Sequence, residues 1–173
     1  ERDAFWGAKI LARLSDEDIK AIVAEGRYSN PEAADYIART IIERRNKIGS
    51  YWLARLNPLD NFRLEPGADG SALAFDDLLI QAGLAPGGSA TYRYRVIQDR
   101  GAYDLLDWTE TPSPSAALSA DLLGRMKPEK TYLLQVETRR SGEKFWGPAV
   151  DVILQKSGEL RILGLNRRYS ESR

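Results

Sequence analysis

The sequence has no cysteine and no histidine. The first absence excludes disulfides, thiolate nucleophiles and cysteine-ligated metals, and it leaves the compartment open, because exported bacterial proteins often lack cysteine too. The second removes the commonest general base and the commonest transition-metal ligand. Together they exclude most familiar catalytic designs. The expectation is a chain that is not an enzyme, with no cofactor. An excess of charge of either sign is lacking as well: 25 basic and 25 acidic residues cancel. No overall field therefore draws the chain to nucleic acid or an anionic membrane. The sequence also lacks signal-like and membrane-length apolar runs, so no membrane insertion is expected. Repeats and low-complexity tracts do not occur.

What is present is ordinary globular material. An apolar content of 43% in 173 residues suits one large or two small domains with at least one real core. The first residue is Glu1 rather than Met, which predicts a piece of something longer.

Up to about residue 58 the pattern is helical. Trp6, Ile10 and Leu14 lie four apart and are expected to share a buried face. Ser15-Asp16-Glu17-Asp18 reads as an N-cap with an acidic first turn, flanked by Leu14 and Ile19 as a hydrophobic staple. The helix that follows carries Ile19, Ile22 and Val23 inward and should close at a left-handed Gly26. Ser29-Asn30-Pro31-Glu32 caps a third, longer helix to about Leu56, with Ile37, Ile41, Ile48 and Trp52 along one stripe. In its polar middle, Arg39 with Glu43 and Glu43 with Lys47 are spaced for exposed ion pairs. Phe5, Tyr28 and Tyr51 fall on other faces and are expected to stay partly exposed.

Asn57-Pro58-Leu59-Asp60 ends the helical pattern, since proline cannot continue a helix. The period then becomes two. Leu73 and Phe75 alternate with small or polar neighbours, while Asp77-Leu78-Leu79-Ile80 fits either a strand or a helical turn. In Thr91 to Ile97, Tyr92, Tyr94 and Val96 oppose Arg93 and Arg95, as a half-buried antiparallel strand requires. Tyr132, Leu134, Val136 and Thr138 likewise oppose Leu133, Gln135 and Glu137. Val150, Val152 and Leu154 suggest another strand, and Lys156-Ser157-Gly158-Glu159 a turn into a last one from Leu160 to Leu163. The reading is α+β: a three-helix segment over 1–58, then an antiparallel β-sandwich over 59–173 with an extra C-terminal strand.

Lys127-Pro128-Glu129-Lys130-Thr131-Tyr132-Leu133-Leu134-Gln135-Val136 resembles the loop and F strand of fibronectin type III domains. Phe145-Trp146-Gly147-Pro148-Ala149-Val150 resembles the entry to their G strand, and Tyr92-Arg93-Tyr94-Arg95-Val96 their C strand. The resemblance spans roughly residues 62 to 155. It implies that Tyr132 is the structural tyrosine-corner residue, its ring in the core and its hydroxyl bonded to upstream backbone near Met126 to Glu129. The core tryptophan usual on the B strand of such domains is replaced by Leu73 and Phe75. In the helical segment, Asp3-Ala4-Phe5-Trp6-Gly7-Ala8-Lys9 and Ile42-Glu43-Arg44-Arg45-Asn46-Lys47-Ile48-Gly49 resemble the C-terminal region of an uncharacterised, exported bacterial protein family with a kinase-like upstream region. That likeness implies a periplasmic or extracellular location and the C-terminal part of a larger protein. None of the residues that carry phosphoryl transfer lies in this stretch.

Candidate sites are few. Ala85-Pro86-Gly87-Gly88-Ser89 precedes a strand and reads as a turn, not a phosphate loop. Asp99, Asp104 and Asp107 around Gly101 form an acidic loop without EF-hand spacing, expected to be solvated. Asp76, Asp77 and Glu110 supply carboxylates but no evident cleft for glycoside hydrolysis. Trp6 and Trp52 belong to helix cores in this reading, whereas Trp108 and Trp146, near strand ends, are possible binding residues for carbohydrate. The pairs Arg44-Arg45, Arg139-Arg140 and Arg167-Arg168 are read as solvated surface. The expectation is a non-catalytic interaction or structural module whose partner is the upstream region of its parent or another protein, with carbohydrate binding through the tryptophans as the alternative.

Overall fold

The computed structural model of the chain describes residues 2–98 and 103–168. Three helices, α1 (Arg2–Leu11), α2 (Asp16–Ala24) and α3 (Pro31–Arg55), precede eight antiparallel strands in two sheets, so the fold is α+β. The chain divides into two compact units. One runs through Arg55 and regains Leu78–Ala85; the other comprises Leu56–Asp77 and resumes at Pro86.

In the helical unit the caps form as the sequence predicts. Ser15 Oγ accepts from the Asp18 amide at 3.0 Å while the Ser15 amide donates to Asp18 Oδ2 at 2.9 Å, a reciprocal capping box at the start of α2. The two hydrogen bonds from Ser15 hold the Asp18 carboxyl below its ordinary pKa. Asn30 Oδ1 accepts from the Glu32 amide at 2.9 Å and opens α3.

The buried faces differ from those the apolar spacing predicts. Phe5 is only 2% exposed, while Trp6 and Ile10 are 50% and 63% exposed, and Leu14 and Ile22 are also at the surface. On α3 the buried residues are Ala38, Gly49 and Leu53, whereas Ile41 and Ile48 are exposed. The stripe is rotated by one residue from the isoleucines. Small side chains let helix axes approach closely, and Ala8 in α1 joins Ala38 and Gly49 among the buried positions. A Cβ on Gly49 would stand 2.7 Å from Leu84 Cδ1, so the glycine is a seat for that leucine. Exposed Trp6 is covered in part by Lys9, whose Nζ lies 4.7 Å from the ring centre. Tyr28 and Tyr51 are exposed, as expected.

Two further expectations give way here. The left-handed residue after α2 is Arg27, with φ 46°, not Gly26; a Cβ on Gly26 would collide with the Tyr28 ring at 2.6 Å. Glu43 pairs with neither Arg39 nor Lys47 among the described residues. It is Arg45 that acts, donating to the Leu14 carbonyl and to Asp16 Oδ1, both at 2.6 Å. One guanidinium thus holds the end of one helix connection and the first turn of the next helix.

In the second unit, β1 (Leu59–Gly67), β2 (Gly70–Asp77) and β5 (Ser115–Ser119) form a three-stranded sheet in the order β1-β2-β5. The five-stranded sheet has the order β4-β3-β6-β7-β8, from β3 (Ala90–Gln98), β4 (Asp104–Thr111), β6 (Thr131–Arg140), β7 (Val150–Ser157) and β8 (Glu159–Arg167). The ambiguous segment resolves into both alternatives: β2 ends at Asp77, and Leu78–Gln81 is a single helical turn, α4. A further short helix, α5 (Ala120–Arg125), follows β5.

The alternation read from the sequence is the alternation of burial. Tyr92, Tyr94, Val96, Tyr132, Leu134, Val136, Val150, Val152 and Leu154 are all buried. Leu73 and Phe75 occupy the facing sheet, and Phe75 packs at 5.5 Å from Phe62 and 5.2 Å from Tyr92 between ring centres. Tyr132 is 1% exposed, and its hydroxyl oxygen accepts from the Lys127 amide at 2.7 Å.

Asn57, which the sequence marks only as a break, is a buried latch. Its Nδ2 donates to the carbonyls of Val136 and Pro148 at 3.0 and 2.9 Å. Its Oδ1 accepts from the Leu59 amide and from Thr138 Oγ1 at 3.2 and 3.3 Å. All the hydrogen-bonding groups of the side chain are used. Beside it, Arg167 reaches from β8 to β1. Its Nη1 donates to the Asn57 and Leu59 carbonyls at 3.1 and 2.6 Å, and its Nη2 lies 3.1 Å from Asp60 Oδ1. Arg167 thus ties the end of β8 to the start of β1.

Candidate functional site

Because β3 alternates, Arg93 and Arg95 project from the face of the five-stranded sheet opposite the core. The register of β3 with β6 sets Arg93 beside Glu137 and Arg95 beside Gln135, and its register with β4 sets Arg93 beside Glu110. Arg93 Nε donates to Glu137 Oε2 and Arg95 Nε to Gln135 Oε1, each at 2.7 Å. Trp108 comes from β4, not from a strand end as the sequence suggested, and Trp146 from the connection between β6 and β7.

The two tryptophans meet around Arg93. Its guanidinium carbon lies 4.3 Å from the Trp108 ring centre and 4.6 Å from that of Trp146. Arg95 stands over Trp108 at 4.8 Å and Arg139 over Trp146 at 4.4 Å. The face is a run of alternating cations and rings, Arg95, Trp108, Arg93, Trp146 and Arg139, of the kind in which a guanidinium gains from the negative face of an indole. Glu137 balances Arg93, and Glu110 lies 3.5 Å from Arg139. Arg95 has the neutral Gln135 as its hydrogen-bond partner. Chemically the face offers stacking and hydrogen bonding. Each indole already has two guanidinium groups over its ring, so a sugar has only part of that surface to stack on.

The remaining candidates do not assemble. Asp77 is buried, where it accepts from Tyr92 Oη at 3.0 Å and from Arg140 Nη2 at 2.7 Å. Burial, and then the neighbouring Asp77 charge, push the Tyr92 phenol well above its ordinary pKa, with Arg140 opposing. Asp76 accepts from Arg63 and Asn61, and Glu110 belongs to the arginine and tryptophan face of the other sheet. The three carboxylates therefore do not confront one another. Asp104 and Asp107 lie in β4 rather than in a loop, and Asp107 Oδ1 accepts the Trp108 amide at 2.7 Å. Asp99 and Gly101 lie outside the described residues. Among the described residues no group of three carboxylates is placed to hold a metal, and no helix is long and apolar enough to cross a membrane. Gly87 and Gly88 form a turn closed by the Ser89 amide on the Pro86 carbonyl at 3.2 Å.

The arginine pairs are the clearest correction. The sequence read them as solvated, yet Arg45, Arg140 and Arg167 are largely buried in ion pairs with Asp16, Asp77 and Asp60. Successive strand residues point to opposite sides, so a pair such as Arg139-Arg140 serves two different sites. For Arg140 and Arg167 the alternation of period two was the signal that could have shown it; Arg45 lies on a helix, where that signal does not apply. No protein-family model matches the chain, and no curated protein matches it either.

Proposed function

We propose that the chain is a non-catalytic interaction or structural module, the C-terminal part of a larger bacterial protein, with a fibronectin type III-like sandwich behind its helices. The observation that carries this reading is the exposed apolar surface of the helical unit. Trp6 and Ile10 lie one turn apart on α1, and Ile41, Ile48 and Tyr51 follow one another at helical spacing along α3, all of them exposed. The antiparallel three- and five-stranded sheets and the buried Tyr132 support the fibronectin-like assignment. The partner is protein, either the upstream region of the parent or another chain. Hydrogen exchange tests the proposal by comparing this chain alone with the same chain inside its full-length parent. Slower exchange at residues 6–10 and 41–51 in the parent is expected. Equal exchange on α1 and α3 in both would overturn the reading.

A second reading, a carbohydrate-binding module, draws on the meeting of Trp108 and Trp146 on one face. Affinity electrophoresis through polysaccharide gels separates the two: retardation abolished by Trp108→Ala or Trp146→Ala favours the second.

A further inference from the structure

The two edges of the sandwich are unlike. Where β1 meets β8, Arg167 closes the gap. At the other side the outermost strands are β5 in one sheet and β4 in the other, and there a cleft of about 390 Å³ opens. It is lined by the turn from Gly67 to Asp69, by Ser71 of β2, by Leu106 and Thr109 of β4, by Tyr94 of β3 and by Leu122 of α5. The lining is mostly apolar, which suits a small organic ligand, and the volume lies within the range of such sites.

We propose that this cleft binds a small, uncharged, mainly apolar molecule carrying one hydrogen-bond acceptor, such as a ketone or ether oxygen. Three observations select that class. First, the buried Tyr94 hydroxyl oxygen accepts from the Ala117 amide at 3.1 Å, while its own proton has no acceptor among the described residues. A ligand oxygen would satisfy that donor. Second, no cationic side chain lines the cleft and Asp69 does, which disfavours an anion. Third, an extended peptide is a poor occupant. The Ala117 amide, halfway along the free edge of β5, is already held by Tyr94 of the opposite sheet, so a strand added there would lose a central ladder bond.

The test uses amide correlation spectra of the whole chain titrated with acetophenone, its near-isostere ethylbenzene, and benzoate. Acetophenone should give saturable shifts at Gly67 to Ala72, Thr109 and Ala117, binding roughly fivefold more tightly than ethylbenzene, the worth of one net hydrogen bond. Benzoate should bind more weakly than either. Tyr94→Phe should remove the preference for the ketone and keep ethylbenzene binding. Ser71→Leu and Thr109→Leu fill the cleft from opposite sheets, and each should abolish binding while the amides of β7 and β8 keep their positions. The proposal is overturned if acetophenone produces no saturable shift at the cleft. It is equally overturned if both filled variants bind as the wild type does, if benzoate binds best, or if a short apolar peptide such as acetyl-Val-Ala-Val-amide saturates the site and acetophenone does not.

Discussion

The helices and the sandwich answer differently to the same hydrophobic pattern. In the sandwich, each apolar residue that alternates through β3, β6 and β7 is buried, because a strand has two faces and a slip of one residue would turn its whole apolar set to solvent. A helix has no such constraint. A shift of one residue rotates the contact face by about 100°, and α3 buries Ala38 and Gly49 in preference to Ile41 and Ile48. Bulk decides the strand face; close approach decides the helix face.

The sharpest way to break the comparison is to truncate one residue on each side of it. Leu134→Ala in β6, where the leucine is wholly buried, should cost about 2–5 kcal/mol in urea unfolding followed by tryptophan fluorescence. Ile22→Ala on α2 should change stability by no more than about 0.5 kcal/mol, although the sequence gives both residues the same apolar credentials. Equal effects would show that the helix face is assigned wrongly.

Next in size is Asn57→Ala. It strands the Val136 and Pro148 carbonyls and the Leu59 amide, and a loss of about 1–3 kcal/mol is expected in the same measurement. A smaller effect follows from Tyr92. Its phenol has a raised pKa in the folded chain, so folding is favoured by the neutral form. That contribution is intact below the unfolded tyrosine pKa of about 10 and declines as pH rises beyond it toward the folded value. Urea midpoints at pH 9 and 11 should therefore fall further for the wild type than for Tyr92→Phe. Because pH 11 lies only about one unit above the unfolded tyrosine pKa, the difference should be held to about 1 kcal/mol. Tyr132→Phe, which removes the single bond to the Lys127 amide, should cost about 1 kcal/mol at neutral pH. Ser15→Ala in the capping box should cost about 0.5–1 kcal/mol, read as reduced helicity in far-ultraviolet circular dichroism.

Much of the fold could be read before any coordinates. The caps of α2 and α3, the inward sets of β3, β6 and β7, and the turn at Gly158 rest on local chemistry, and local chemistry is what a sequence displays. The strand β4 was missed because Asp99, Asp104 and Asp107 around Gly101 made its start look like an acidic loop; its polar side chains are those of an edge strand with one face in water. The short β5 carries only Ala116 and Leu118 inward, too brief an alternation to register. Of the candidate site, Trp108 and Trp146 were picked out by residue type alone. Arg93, Arg95 and Arg139, which stack on them, were not, since their union depends on the register of β3 with β4 and β6 and on the path of the loop to Trp146.

The reach of Arg167 to β1 also sets a clock on biosynthesis. Its carbonyl partners at Asn57 and Leu59 precede it by 110 and 108 residues. At about 5–20 residues per second on the ribosome, β1 waits roughly 5–20 s after its own synthesis before the side chain that ties its start to β8 is made. During that interval the Asn57 and Leu59 carbonyls and the Asp60 carboxylate lie on a nascent polypeptide without the guanidinium that later joins them.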